Sequence, residues 1–200
     1  MRKVIIILGI FAFIAGGCGQ NSTKKTEKQR NKYEQIQFVI EKSGFIELPL
    51  EFDANIEYSL KTNYLVNRES NDTLLFERGI YEIVGFLPDT TNYYMFLHYT
   101  VADRLFPTIV TMDKNWQKID EKIISTQGCL TSPLVDVESC YDSVWISKNL
   151  KIKSVSKLVG TIEIETDSTS EVSPILNTKF LEGFIDKNGK ISIKERDLID

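Results

Sequence analysis

The chain has 200 residues, a formal charge of -4 at neutral pH and an ordinary apolar share of 42%. That is length enough for one domain with a real core, and the acidic balance argues against a nucleic-acid partner. A single histidine, His98, excludes histidine-ligated metal clusters and leaves a serine triad one available base.

Met1-Arg2-Lys3 form a short cationic head, and Val4 to Ile14 an unbroken apolar core ending in small residues. This is the layout of a secretory signal peptide over residues 1–17. A bilayer-spanning helix needs about 20 apolar residues, and this run gives way to polar sequence at Gln20. Ala15-Gly16-Gly17-Cys18 resembles the lipobox of bacterial lipoproteins, with Ala15 where the usual box has Leu. The resemblance implies that the Cys18 thiol is alkylated by diacylglycerol and that Cys18 becomes the first residue of the mature chain. An ordinary leader with an incidental cysteine is the alternative. More than one acyl chain makes anchoring effectively stable, so the mature protein is expected to sit on a membrane without crossing it. Losing Arg2 and Lys3 with the leader takes the formal charge from -4 to -6.

Residues 18–43 are expected to hold the lipidated cysteine, a tether and a short helix. The stretch GQNSTKKTEKQRNK carries five cations against Glu27 and no aromatic residue, a composition that cannot bury a core. It reads as a solvated tether, with anionic headgroups as the alternative resting place for its cations. Tyr33, Ile36, Val39 and Ile40 then recur at helical spacing, and Ser43-Gly44 supplies a stop.

Residues 44–200 change texture, to short runs rich in Ile, Val, Tyr, Phe and Thr punctuated by Asn, Asp, Gly and Pro. NIEYSL, TNYLVNR, TLLFE, IYEIVGFL, NYYMFLHYT, FPTIVTM, SVWISK, LKIKSV, LVGTIEIE, FLEGFID and KISIKER read as separate strands. Many short strands without alternating helices predict an all-β antiparallel domain, as a meander, a sandwich or a partial propeller-like sheet. TIVTMDKNWQKID, DSVWISKNLKIKS and EGFIDKNGKISIK share a pattern of strand, Asp or Ser, Lys-Asn, strand. Gly189 suits the left-handed position of such a hairpin turn. Where Trp116 and Leu150 stand instead, Asn115 or Asn149 is expected to take the left-handed conformation, which Asn tolerates better than bulky side chains. The spacings of 34 and 39 residues between Asn115, Asn149 and Asn188 admit a repeat reading, with independent hairpins as the other.

With Cys18 claimed by lipid, Cys129 and Cys140 remain as an even pair in an exported chain, which predicts a disulfide, the alternative being two buried thiols. His98 lies inside a predicted strand and reads as a hydrogen-bonded residue at the domain surface. Asp186, Asn188, Ser192 and Glu195 fall at EF-hand positions, a candidate calcium loop, yet Phe184 stands where the first carboxylate belongs and a β-hairpin explains the same residues. Glu163 and Glu165 would share one face of a strand, the ordinary mark of a solvated side. Trp116, Trp145, Tyr93 and Tyr94 would stack on sugar rings if exposed, and pack in the core otherwise.

GFIELPLEFD, IVTMDKNWQKID and EGFIDKNGKISI resemble segments of small uncharacterised lipoproteins from Bacteroides-type gut bacteria, over the chain from about Phe45 onward. The resemblance implies a β-rich envelope lipoprotein with no assigned activity. Acidic residues soon after the cysteine mark export to the cell surface in that group, and CGQNS has none. The expected address is therefore the periplasmic face of the outer membrane, with surface display as the alternative. No catalytic set and no cofactor are expected. The expected role is a non-catalytic binding or interaction module, held to the membrane through its lipid, whose partner is an envelope protein or glycan. An accessory glycan or small-ligand binder and a carboxylate-dependent hydrolase are the alternatives.

Overall fold

The computed structural model of the chain describes residues 31–56, 59–66, 81–88, 91–101, 104–129, 135–165 and 170–199. The leader, Cys18, the tether before Asn31 and the run TLLFE lie outside the described residues. The protein is mostly β, and its described residues form two antiparallel five-stranded sheets. The described residues contain one helix, α1 (Lys32–Ser43).

Asn31 starts α1 with a capping box: its side chain accepts the Glu34 N–H, and the Glu34 carboxylate accepts the Asn31 N–H. Gly44 closes it by donating its N–H to Ile40 O at 2.8 Å. The helix buries Gln35, Ile36, Val39 and Ser43, whereas Tyr33 is 67% exposed. The apolar stripe read from sequence is thus rotated away from Tyr33.

The first sheet contains β2 (Tyr64–Val66), β3 (Tyr81–Phe86), β4 (Tyr94–Val101), β5 (Leu105–Met112) and β6 (Lys118–Ile123), neighbours in chain order. The second contains β1 (Leu50–Asp53), β7 (Val135–Ile146), β8 (Lys151–Glu165), β9 (Ser170–Ile185) and β10 (Ile191–Ile199), in the order β1-β7-β8-β9-β10. Alternation along the strands turns Val84, Met95, Leu97 and Ile109 of the first sheet onto Val144, Ile146, Ile152 and Leu181 of the second. Each such fully buried aliphatic side chain is worth about 1.5–3 kcal/mol. The opposite face of the first sheet packs Phe86, Phe96, Val110 and Trp116 beneath Ile36 and Val39 of α1. The result is a β-sandwich with a helix on one outer face.

Two strand expectations need correction. LKIKSV and LVGTIEIE are one strand, β8, of 15 residues, paired along its length with the 16-residue β9. Ser154 and Ser156 keep the inward alternation and are each 1% exposed, so no turn interrupts the run. The described residues of NIEYSL, Asn55, Ile56, Ser59 and Leu60, are not in a strand. Asp53 Oδ1 accepts the Asn55 N–H at 2.8 Å, and this Asx turn ends β1 and redirects the chain. β7 bulges between Val137 and Ser139, opposite Gly160. A Cβ at Gly160 would meet Asp136 O at 2.3 Å, so the bulge requires glycine there.

The β5–β6, β7–β8 and β9–β10 turns share one construction. Trp116, Leu150 and Gly189 donate their N–H groups to Asp113, Ser147 and Asp186 O at 2.9, 3.0 and 3.0 Å. The side chains of the same three leading residues accept the N–H of Gln117, Lys151 and Lys190. The left-handed residues are Trp116, Leu150 and Gly189, at φ of 61°, 60° and 81°. The expectation for Asn115 and Asn149 is therefore overturned. Trp116 is 4% exposed against Phe86, Tyr94 and Phe96, and Leu150 packs on the inter-sheet core, so burial outweighs the backbone penalty. The turns lie at one end of the sandwich, where Thr111 donates to Gly189 O at 2.7 Å and Tyr93 OH to Asp186 O at 3.1 Å.

Candidate functional site

The two sheets differ in what covers their outer faces. α1 covers the first. On the second, alternation turns Val155, Val159, Phe180, Leu176 and Val172 outward, and Leu176 and Val172 are 46% and 67% exposed. No described element packs over them. Charges are graded along this face. Lys151, Lys153, Lys157, Lys194 and Arg196 stand toward the hairpin-turn end, with Glu51, Asp53 and Glu182 among them, and Asp136 and Glu163 stand toward the other.

At the turn end this face carries a groove of about 460 Å³. Register places Lys151, Phe184 and Ser192 side by side on β8, β9 and β10, and Lys153, Glu182 and Lys194 in the adjacent row. Phe184 is 52% exposed. The arrangement offers an aromatic ring for stacking, ammonium groups for an anion and one hydroxyl. Glu182 also meets Arg196 at 3.7 Å.

A buried carboxylate lies elsewhere, on the inward face of β7. Asp142, 3% exposed, accepts hydrogen bonds from Ser154 Oγ at 2.8 Å, Gln127 N–H at 3.1 Å and Thr126 Oγ1 at 3.3 Å. Burial pushes its pKa above the ordinary 3.8, against the pull of these donors. Cys129 and Cys140 are joined in a disulfide, with Cα atoms 5.7 Å apart. Together the bridge and Asp142 clamp the segment after β6, where the chain crosses between sheets and Gln127 adopts φ of 54°. The adjoining cavity, about 30 Å³, is water-sized. Asp142 is thus a structural staple.

His98 is not at the surface. It is 2% exposed on the α1 side of the first sheet, with Nε2 3.7 Å from Glu121 Oε1 and its ring 5.8 Å from Phe96. The strand's alternation carries it inward with Phe96. The His98 side chain is the largest influence depressing the Glu121 pKa, burial opposes it, and Lys118 lowers it further, to about 2. The His98 separation exceeds hydrogen-bond range while Lys118 Nζ stands at 2.7 Å, so the ion pair is the firmer part of that effect.

The remaining candidates are spread over the fold. Asp186 Oδ1 accepts the N–H groups of Asn188 and Lys190, Ser192 faces the groove, and Glu195 pairs with Leu181 farther along β10. The four lie in a hairpin and do not converge, and no described group of three or more His, Cys, Asp or Glu side chains is placed to hold a metal. Glu163 is exposed on β8, and the side chain of Glu165 lies outside the described residues. Tyr93, Tyr94 and Trp116 are buried, and Trp145 is half-buried on the outer face of β7. The sequence reading missed Phe184 as a groove residue because it was assigned to a calcium loop. It missed Asp142 too, although the alternation of YDSVWI with Val144 and Ile146 inward marks that carboxylate as inward-facing. Neither a known protein family, nor a curated protein, nor a solved structure matches the chain.

Proposed function

We propose that the protein is a lipid-anchored envelope lipoprotein whose β-sandwich is a non-catalytic binding module, with the outer face of the second sheet as its contact surface. The observation that carries this reading is the apolar strip of that face, which no described element covers, with charged residues at both ends. Exposed apolar surface of this kind marks interaction sites. The lipobox-like run supports the anchor, and the absence of acidic residues in the CGQNS stretch that starts at Cys18 supports the periplasmic side of the outer membrane.

A photo-reactive phenylalanine placed at Leu176 or Phe184 in native membranes tests the surface, with Tyr33 on α1 as the control. Specific adducts from the two face positions and none from Tyr33 are expected; adducts from Tyr33 alone would sink the assignment. Cys18→Ser tests the anchor. It is expected to leave the precursor unprocessed, and a normally processed, membrane-bound variant would refute lipidation.

The groove favours a second reading, an accessory binder of glycans or small ligands. An exposed ring beside ammonium groups suits a sugar bearing a carboxylate or phosphate. Tryptophan fluorescence titrated with an acidic oligosaccharide checks this through Trp145, and an unchanged response in Phe184→Ala would remove it.

A further inference from the structure

We propose that the outer face of the second sheet is the interface of a two-fold homodimer, the second copy lying face to face with the first and running antiparallel to it. This rests on the binding-module reading and names the partner for its contact surface.

The face is self-complementary about one row. Val172, Leu176 and Phe180 project from β9 at intervals of four residues, and Val159 lies beside Leu176 on β8. A two-fold axis in the interface plane, across the strands at Leu176, brings Leu176 and Val159 onto their own copies and Phe180 onto Val172. Such isologous contact is the commonest way soluble chains pair, and two sheets packing face to face keep their strands within about 30°.

The charges follow the same symmetry. Glu163 is four residues beyond Val159 and Val155 four before it, so the axis sets Glu163 over Val155 of the second copy. On that strand the neighbours of Val155 on the same face are Lys153 and Lys157. Each Glu163 carboxylate thus falls between two ammonium groups, twice over by symmetry. Asp136, beside Thr161 on β7, faces the row that holds Lys157.

The size suits a weak, reversible dimer. At about 3.3 Å per residue and 4.8 Å per strand, the rows from residue 153 to 165 on β8 and β9, with the overlapping rows of β7 as far as Ile162, span roughly 475 Å² per copy. Two copies together bury roughly 950 Å², in the range of small, transient interfaces. The Phe184 groove stays at the rim of the overlap.

Zero-length carbodiimide crosslinking tests the geometry. Glu163 and Lys157 are about 20 Å apart along one strand, too far to be joined within a copy. Full-length protein purified from membranes, in equal light-nitrogen and heavy-nitrogen portions, is reconstituted together in vesicles of phosphatidylethanolamine and phosphatidylglycerol. Mixed-isotope links from Glu163 to Lys157 or Lys153 are expected. Leu176→Lys, at an exposed position, should reduce them at least ten-fold without lowering Tm. A separate intact-mass count of carbodiimide-joined dimers should fall in Glu163→Lys and recover when Lys157→Glu is added. Absence of mixed-isotope links, or their persistence in Leu176→Lys, overturns the dimer. In native membranes, links from Glu163 to a different protein instead of a second copy also overturn it, yet leave the binding-module reading standing. Photo-adducts missing from the face remove that reading itself.

Discussion

Trp116 is the clearest case of packing overruling backbone preference, and Trp116→Gly tests it. The indole is 4% exposed, with ring centroids 5.5 Å from Tyr94 and 6.2 Å from both Phe86 and Phe96. Removing a side chain of this size from a core costs about 3–5 kcal/mol. Glycine returns the roughly 1–2 kcal/mol that a left-handed backbone costs other residues, but gives up about 0.5–1 kcal/mol in unfolded-chain entropy. The expected net loss is about 2–4 kcal/mol, or about 5–15 °C in Tm at 2–4 °C per kcal/mol. Leu150→Gly is the internal comparison, because Leu150 has nearly the same φ of 60° and is only half-buried. Its two opposing contributions are of similar size, so a change within about 1 kcal/mol is expected. Urea denaturation followed by circular dichroism measures both. A Trp116→Gly protein as stable as the parent, or a Leu150→Gly protein equally damaged, would refute the reasoning.

Replacing Cys129 and Cys140 together by alanine opens a loop of sequence separation 11 and should lower stability by about 3 kcal/mol, read as a reduced urea midpoint; an unchanged midpoint contradicts this. The Glu121 carboxyl is held below its ordinary 4.5, at about 2, so its contribution to stability is complete above pH 4.5 and is lost as pH falls toward 2. Glu121→Gln should remove that part of the Tm decline, and an identical acid profile in the variant would dismiss the ion pair. Asp142 has the opposite sign: its pKa is raised above 3.8, so its contribution is greatest below pH 3.8 and falls as pH rises through the raised value. Carbon-detected NMR should place its midpoint above 3.8, and a midpoint at or below 3.8 would show that burial does not dominate. Asp142→Ala should cost about 1–3 kcal/mol, since it leaves the buried Gln127 N–H and the Thr126 and Ser154 hydroxyls without their acceptor, and chemical denaturation reads the loss.

The antiparallel β class was legible because strand-length apolar runs and turn residues are local signals. The capping of α1 was legible in part: the Ser43-Gly44 stop was read, while the Asn31 and Glu34 box at its start was not. Strand lengths were harder. Ser154, Ser156 and Lys157 look like a break in composition, but the two serines face inward near Asp142 and its donors, which only the three-dimensional pairing of β7 with β8 brings together. Turn conformation failed for the same reason. Asn tolerates the left-handed region better than Trp or Leu in isolation, and what reverses the preference is burial that sequence spacing does not record. His98 was misplaced because NYYMFLHYT is apolar on both faces and alternation could not say which side is solvent.

That two-sided apolarity also explains the candidate surface. Strands with apolar residues at odd and even positions alike belong where both faces are covered, and β4 is such a strand, with one face on the second sheet and the other under α1. β8 and β9 share this only in part: Ile152, Leu158 and Leu181 point inward, while Val155, Val159, Leu176 and Phe180 point outward among Lys151, Lys153, Lys157 and Glu163. No described element covers that outer side. Exposed apolar area is released favourably at about 25 cal/mol per Å² when a partner covers it, although association entropy takes back a large share. The outward apolar side chains that no described element covers therefore favour association, and the lysines and carboxylates graded among them set which orientations a partner can adopt.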